Sequence, residues 1–315
     1  MDPEITYIVQ QGFYWDWRVA LDLFFGGAGV GAFIFGIGLY EFWGRRYRRI
    51  PQTAAFIAPI LVGAGLLLLM LKLGRPLHIF RTFTAIAPTA PLWWGGIFQT
   101  VFIAGALWYA FLWRNQEPRP LRRRLGLALV PIAFIVGAYH GMLLAVMTSR
   151  PLWNSGPTVL AALAGFVTTG IAAVMGVHLI RMKLAGRLAD SEHAANFLSD
   201  LKPVRNVLAG ALLLQLGTFF LWWVSLRFGD RAHEAALEAA NAAYGPMFWF
   251  LGIGVGLVLP LLIGAYTVWK DDGTVPRLQV WAVGVTSALI LVGGLFFRLA
   301  VVLAGQLNPV IVTLP

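Results

Sequence analysis

At residues 52–73 the chain reads QTAAFIAPILVGAGLLLLMLKL, a run in which Lys72 is the only charged side chain. A helix of about 20 mostly apolar residues crosses the hydrocarbon core of a bilayer. Similar stretches recur along the whole chain, and the pattern predicts eight transmembrane helices. Their expected ranges are 18–43, 52–73, 91–113, 125–147, 157–180, 206–226, 246–269 and 280–304.

The composition of the whole chain also indicates a membrane protein. Of its 315 residues, 59% are hydrophobic and 12% are charged, whereas an ordinary soluble domain carries about 25% charged residues. The chain therefore lacks the polar residues that cover a soluble surface, which excludes soluble folds, disordered proteins and nucleic-acid-binding proteins. It has no cysteine, which excludes disulfides, thiolate chemistry and cysteine-ligated iron–sulfur or zinc sites in this chain.

The basic residues are distributed unevenly between the predicted loops. Sixteen of the 24 lysines and arginines lie in the gaps that follow the first, third, fifth and seventh spans. Loops rich in lysine and arginine stay in the cytoplasm, so these gaps are predicted to be cytoplasmic. An even number of spans then places both termini on the opposite side of the membrane.

Ionisable side chains inside the predicted spans are few, and because a charge in the membrane is costly, they are candidates for function. Their depths follow from a rise of 1.5 Å per helical residue. His178 is predicted near the cytoplasmic side, and Glu41, at the cytoplasmic end of the first span, is expected to reach the interface. The positions predicted in the outer half of the bilayer are Asp22, Lys72, the pair Tyr139–His140, and Arg298.

The chemistry of this outer group suits a quinone. A quinone has two carbonyl oxygens that need hydrogen-bond donors, and its reduction needs protons, which carboxylate, tyrosine and histidine side chains can supply. A haem held by two histidines is not expected, because His140 and His178 differ in depth by about half the membrane. The other histidines are predicted in loops: His78, His193 and His233.

Metal ligation has no spacing signal in the chain. Two other functions stay open at this point. A secondary transporter would hold its substrate near the midplane between repeated halves with discontinuous helices, and no convincing internal repeat occurs. A purely structural membrane anchor is the second alternative.

The loops on the predicted outer side are rich in tryptophan, proline and glycine. Tryptophans at this level are typical of the aromatic belt at the lipid headgroups. Their clustering on one face also fits a docking surface for another subunit. The residues concerned are Trp15, Trp17, Trp93, Trp94 and Trp153.

Three motifs resemble those of the NrfD family of membrane subunits, most closely its polysulfide reductase type. They are YWDWRVALD at 14–22, APTAPLWWGG at 87–96 and AYHGMLLAVMTSRPLWNSG at 138–156, and LGRP at 73–76 also fits a family pattern. These motifs lie in roughly the first half of the chain. We therefore expect an all-α membrane protein, one integral domain over 1–315, with eight transmembrane helices in two packed four-helix bundles and both termini periplasmic.

The resemblance implies a quinone-reactive anchor in a bacterial or archaeal cytoplasmic membrane. Such an anchor exchanges electrons with menaquinone or ubiquinone and binds no haem. Its implied partners, on the periplasmic side, are a ferredoxin-like iron–sulfur subunit and a molybdopterin catalytic subunit, which hold the iron–sulfur clusters and the molybdopterin. The loops at 73–91 and 148–157 are the expected contacts with the iron–sulfur subunit.

The resemblance also implies where the quinone binds. In the polysulfide reductase type, menaquinol lies between the start of the first helix and the fourth helix. The tyrosine of that site falls on Tyr139, its histidine position is Asp22 here, and its asparagine position is Val19. We therefore predict that Asp22, Tyr139 and His140 exchange hydrogen bonds and protons with the quinone.

Cations complete the predicted site. Lys72 and Arg298 are predicted to help bind the quinone. An acid often stands just before LGRP in the family, and Lys72 reverses that charge. Lys72, Arg75 and Arg81 are expected to position the partner subunit or hold the quinone anion, and the alternative for each is a side chain that reaches the membrane interface.

Overall fold

The computed structural model describes residues 15–42, 49–72, 80, 84, 86–116, 118–187, 191–270 and 276–307. Within them, eight helices are long and apolar enough to cross a membrane, which confirms the predicted number of spans. In chain order they are α1 (Trp17–Phe42), α2 (Arg49–Lys72), α3 (Pro91–Arg114), α4 (Arg119–Ala145), α5 (Pro157–Leu184), α6 (Ser191–Arg227), α7 (Arg231–Trp269) and α8 (Pro276–Ala304).

Helix α1 lies at the centre of the molecule and packs against α2, α4, α5 and α8. Its sequence explains this position, because GGAGVGAFIFGIG at 26–38 puts small residues on several faces and lets neighbouring backbones approach closely. A Cβ atom at Gly31, for example, would overlap the backbone carbonyl of Phe166 on α5. Since α1 contacts helices of both halves of the chain, the grouping into two four-helix bundles stays a prediction.

Helix α7 begins well before its predicted start at Pro246. The segment RAHEAALEAANAAYG at 231–245 is polar but rich in alanine and glutamate, which favour helix. Asp230 caps it by accepting hydrogen bonds from the backbone N–H groups of Ala232 and His233, each 2.9 Å long. Hydropathy does not detect a polar helix, so the predicted start of this helix and the predicted loop position of His233 are both wrong.

Helix α6 shows the same effect. It begins at Ser191 rather than at 206, so His193 lies in a helix and its predicted loop position is wrong. The segment SEHAANFLSDLKPVR at 191–205 mixes charged and apolar residues. It extends the helix beyond the uniformly apolar stretch that hydropathy detects.

Prolines start two of the helices as predicted and distort a third. Pro91 and Pro157 occupy the first positions of α3 and α5, where the missing N–H group has no helical partner to lose. Pro246 instead lies inside α7, and the helix continues as a π-helix over Pro246–Val258 before it returns to α-helix. Proline lacks the N–H group and clashes with the preceding turn, and the wider π turn accommodates it.

The connection between α4 and α5 packs into the protein's own core. Trp153 is 2% exposed, its indole N–H donates to the carbonyl of Val301 on α8 at 2.7 Å, and its ring stacks on Trp15. Arg150 donates a hydrogen bond to the carbonyl of Gln306 at 2.8 Å. The prediction that Trp153 belongs to an aromatic belt or a docking surface is therefore wrong, because its side chain is enclosed by the chain itself.

Candidate functional site

The site is built around Asp22 on α1. Its side chain is 2% exposed and faces α2 at Gly65, where a Cβ atom would come within 2.9 Å of the carboxylate oxygen Oδ1. No group in the described part of the chain forms a hydrogen bond to this oxygen. An unpartnered buried polar atom is costly, so the fold holds here a polar group whose partner is not supplied by the described helices.

Tyr139 on α4 lies within electrostatic reach of Asp22. The buried Tyr139 ring covers Gly95 on α3 so closely that a methyl group at Gly95 would overlap the ring. Trp93, two residues earlier on α3, has a buried indole N–H without a hydrogen-bond partner among the described residues. The beginning of α3 therefore supports the tyrosine and contributes a second unpartnered polar group at the same end of the helix.

His140 is completely buried, and its ring adjoins that of Tyr139. Its Nδ1 lies 2.7 Å from the carbonyl of Val136, and since a carbonyl can only accept, Nδ1 donates. In the neutral ring, Nε2 then accepts a hydrogen bond from the Gln99 amide at 3.2 Å. Both nitrogens of His140 thus have partners within the protein, and the ring fixes the packing of α3 against α4.

Arg298 on α8 is buried and lies within electrostatic reach of His140. Its guanidinium donates a hydrogen bond, 3.0 Å long, to a backbone carbonyl one turn earlier in α8, and it approaches the Thr169 hydroxyl at 3.5 Å. It also lies over the rings of Phe24 and Phe166, 5.4 and 5.1 Å from their centroids. Aromatic faces stabilise a desolvated cation, and they hold this one between α1, α5 and α8.

Arg298 and His140 both line a mostly apolar cavity of ≈ 50 Å³, together with Gln215 on α6. One water molecule needs about 10–15 Å³ of such volume, so the cavity has room for a few waters. A quinone ring does not fit into it. The predicted residues therefore form two adjoining groups, with His140 between the pair Asp22–Tyr139 and the cavity beside Arg298.

Lys72 does not join either group. Its ammonium lies 3.3 Å from the carboxylate of Asp16, which also pairs with Arg18 at 2.6 Å. The Arg18 guanidinium, with the Lys72 ammonium adding to its effect, lowers the pKa of Asp16 to about 2. Lys72 stands two turns of helix, about 10 Å, beyond Gly65, the α2 residue that Asp22 touches. The structure therefore places Lys72 in a clamp between the ends of α1 and α2.

The remaining predicted residues lie elsewhere. His178 on α5 is buried 3.4 Å from the hydroxyl of Thr53, near the start of α2 and at the opposite end of the helices from Lys72. Arg75, Arg81 and the LGRP motif at 73–76 lie outside the described residues.

Sequence reasoning missed several polar residues that support the site. Gln99 and Gln215 are buried inside apolar spans, as is Thr169. Polar side chains in such spans commonly join helices by hydrogen bonds, and that rule is the signal that could have identified them. It would not have shown which helices they join.

The arrangement suits a ligand that carries carbonyl oxygens and takes up protons. Asp22 can exchange a proton, and Tyr139 and Trp93 carry donor groups in apolar surroundings. No group of three or more histidine, aspartate or glutamate side chains that could hold a metal ion occurs in the part of the chain that the structure describes.

Comparison with known proteins gives the same family as the motifs. A family model described as "Polysulphide reductase, NrfD" matches residues 8–310. A polysulfide reductase chain of Wolinella succinogenes is 28% identical over 316 residues, which cover 93% of this chain and 94% of that protein. Protein NrfD of Escherichia coli (strain K12) is 28% identical over 324 residues, covering 93% and 95%. A selenate reductase subunit of Mesobacillus selenatarsenatis is 22% identical over 290 residues, covering 79% and 66%.

Proposed function

The chain belongs to the NrfD family, and we propose that it is the quinone-reactive membrane subunit of an oxidoreductase complex. Similar proteins are named as subunits of polysulfide and selenate reductases, which supports a role as one subunit among several. In this proposal the chain exchanges electrons between menaquinone or ubiquinone in a bacterial or archaeal cytoplasmic membrane and a ferredoxin-like iron–sulfur subunit. That partner in turn contacts a molybdopterin catalytic subunit.

The observation that carries this proposal is the buried, unpartnered carboxylate oxygen of Asp22, which lies within electrostatic reach of Tyr139. A quinone, when bound, would accept two electrons and two protons, and the corresponding quinol would release them. Tyr139 supplies a hydroxyl donor for a quinone carbonyl oxygen, and the Asp22 carboxyl takes up or releases a proton at Oδ1. The apolar helices around both side chains exclude water, which strengthens these hydrogen bonds.

His140 and Arg298 have supporting roles in this proposal. His140 is hydrogen-bonded at both ring nitrogens, so it positions Tyr139 and the beginning of α3. Arg298 places a positive charge on the other side of His140, where it favours an electron-rich ligand near Tyr139 by long-range attraction. Lys72 acts through its ion pair with Asp16, which fixes the ends of α1 and α2 next to the site.

The proposed docking face for the iron–sulfur subunit surrounds the starts of α1 and α3, on the periplasmic side. Large apolar side chains are exposed there, and aromatic residues are enriched in the cores of protein interfaces. This face also lies at the end of the helices that holds Asp22 and Tyr139, so it keeps the electron-transfer distance short. The exposed side chains are Trp17, Phe80, Ile86, Leu92 and Trp94.

A secondary transporter fits the helices less well. Such a protein needs discontinuous helices in corresponding positions of two repeated halves. The π-helix of α7 is one irregular segment, but the corresponding third helix of the first half, α3, is described as an uninterrupted α-helix. The polar groups also lie toward one end of the helices.

The proposal is tested by Tyr139→Phe in the assembled complex. Phenylalanine keeps the ring that covers Gly95 and removes only the hydroxyl. Losing one hydrogen bond to a ligand costs about 1–3 kcal/mol, so we expect quinol-dependent turnover to fall about 5- to 150-fold. Electron transfer from an artificial donor directly to the catalytic subunit should be unchanged.

The matched control is Tyr109→Phe. Tyr109 lies elsewhere on α3 and is also a buried tyrosine. It packs against Phe33 of α1 and Trp113 of α3. Its hydroxyl is not at the proposed site, so this variant should turn over quinol like the parent protein. Equal activities of the two variants would show that the Tyr139 hydroxyl has no role in the quinone reaction.

A further inference from the structure

A second cavity, of ≈ 570 Å³, lies at the opposite end of the molecule from the proposed quinone site. It is formed where α2 begins and α5 ends, and we call it the arginine cavity. Three arginines line it, Arg49 on α2, Arg181 on α5, and Arg187 just after α5, and His178 and Gln52 complete its polar wall.

Hydrogen bonds fix the wall of the arginine cavity. The hydroxyl of Thr53 on α2 donates to the carbonyl of Arg49 at 3.0 Å and accepts from the guanidinium of Arg181 at 2.8 Å. His178, which is 5% exposed, approaches the same hydroxyl at 3.4 Å. Thr53 and His178 are buried, so these contacts join α2 to α5 beneath the exposed arginine side chains.

The charge of the arginine cavity is not balanced within the described chain. Neither Arg49, Arg181 nor Arg187 forms an ion pair with a described carboxylate, whereas Arg119 and Arg123, at the same end of the molecule, share Glu41. Three guanidinium groups around one cavity attract an anion, and arginine is well suited to the oxygens of a phosphate.

Other parts of the wall are apolar. Leu184, the last residue of α5, is 83% exposed beside the arginines, and Met182 also lines the cavity. Because the cavity lies at the ends of two membrane-spanning helices, its charged groups are expected at the headgroup level, with the exposed Leu184 beside them. The ligand that combines a phosphate with apolar chains at this depth is a phospholipid.

We propose that the arginine cavity binds the phosphate headgroup of an anionic phospholipid. Basic pockets between transmembrane helices on the cytoplasmic side are suited to such headgroups. Arg49, Arg181 and Arg187 contact the phosphate, and the exposed Leu184 packs against the apolar part of the lipid. The bound lipid joins the start of α2 to the end of α5. This site is independent of the proposed quinone reaction.

The test is native mass spectrometry of the purified full-length chain in neutral detergent, titrated with phosphatidylglycerol or phosphatidylcholine. We expect phosphatidylglycerol to bind more tightly. One arginine near an anionic lipid contributes about a fivefold effect on binding. We therefore expect phosphatidylglycerol to bind about fivefold more weakly to Arg181→Gln and about 25-fold more weakly to Arg49→Gln/Arg181→Gln.

Two further variants keep the test specific. Arg114→Gln removes a positive charge from the last turn of α3, at the same end of the molecule but outside the cavity, and it should bind lipid like the parent. Arg181→Lys retains the charge and should retain most of the binding. The proposal is overturned if Arg114→Gln weakens binding as much as Arg181→Gln, if the two lipids bind equally, or if inorganic phosphate displaces phosphatidylglycerol at equal concentration.

Discussion

Replacing Asp22 by asparagine tests whether its carboxylate binds a ligand or stabilises the fold. The amide has nearly the same shape as the carboxyl group, so it fits the narrow space beside Gly65. Oδ1 of Asp22 has no hydrogen-bond partner among the described residues, so the substitution leaves no donor of the described chain without its acceptor. The protein should therefore assemble normally while its reaction with quinone is impaired.

The expected magnitudes differ between stability and function. The change in stability should not exceed the net value of one hydrogen bond, about 1 kcal/mol, which corresponds to a shift in Tm below about 4 °C for a chain of this size. Loss of the ligand contact should cost about 1–3 kcal/mol, or a 5- to 150-fold slower exchange of electrons with quinone. Asparagine also cannot take up a proton, so the pH dependence of quinol oxidation should change.

The assay is quinol oxidation by the assembled complex in membranes, with thermal unfolding of the same preparations in detergent. Thr286→Val serves as the control, because Thr286 is buried on α8 and donates only within its own helix, to Ala282 at 2.6 Å and Val283 at 3.3 Å. A large loss of stability in Asp22→Asn, with activity lost in proportion, would refute the reasoning and make Asp22 a structural residue. Normal activity would show that the Asp22 carboxyl group has no role in the quinone reaction.

Two other expectations follow from the same contacts. Gly95→Ala should destabilise the protein by about 1–3 kcal/mol and slow quinol oxidation, because the added methyl group displaces the Tyr139 ring. The control is Gly63→Ala on α2, where the added Cβ meets open space. This variant should unfold at or slightly above the parent Tm. The ion pairs of Asp16 lower its pKa from 3.8 to about 2, so their stabilisation is complete above about pH 5 and is lost as the pH falls toward 2. The difference in Tm between the parent and Asp16→Asn should therefore be largest at neutral pH and shrink over that interval. A constant difference would contradict the assignment.

The number of spans was predictable because the bilayer imposes a local rule on every segment that crosses it. Each span must supply about 20 apolar residues, whatever its neighbours are, and all eight predicted spans correspond to a described helix. The polar beginning of α7 obeys no such rule. Its alanines and glutamates favour helix without being apolar, so a hydropathy pattern places the start of the helix at Pro246.

The partners of individual side chains could not be read from the sequence. Trp153 donates to a carbonyl 148 residues further along the chain, and Gln99 meets a histidine 41 residues away. Nothing near either residue distinguishes it from a tryptophan in an aromatic belt or a glutamine facing a lipid headgroup. Lys72 is the same case, since the ion pair with Asp16 depends on how the end of α2 lies against the start of α1.

Asp22 and Arg298 show why buried charge points to function more reliably than a count of polar residues. They are opposite in charge, both are buried, and they lie on the contacting helices α1 and α8. A direct ion pair between the two side chains would lower the free-energy cost of burying both charges. The structure instead stabilises Arg298 with two aromatic rings and backbone and hydroxyl oxygens, and leaves an oxygen of Asp22 without a described partner. In the proposed function, this leaves the carboxyl group available to a ligand that enters from the bilayer, as a quinone does.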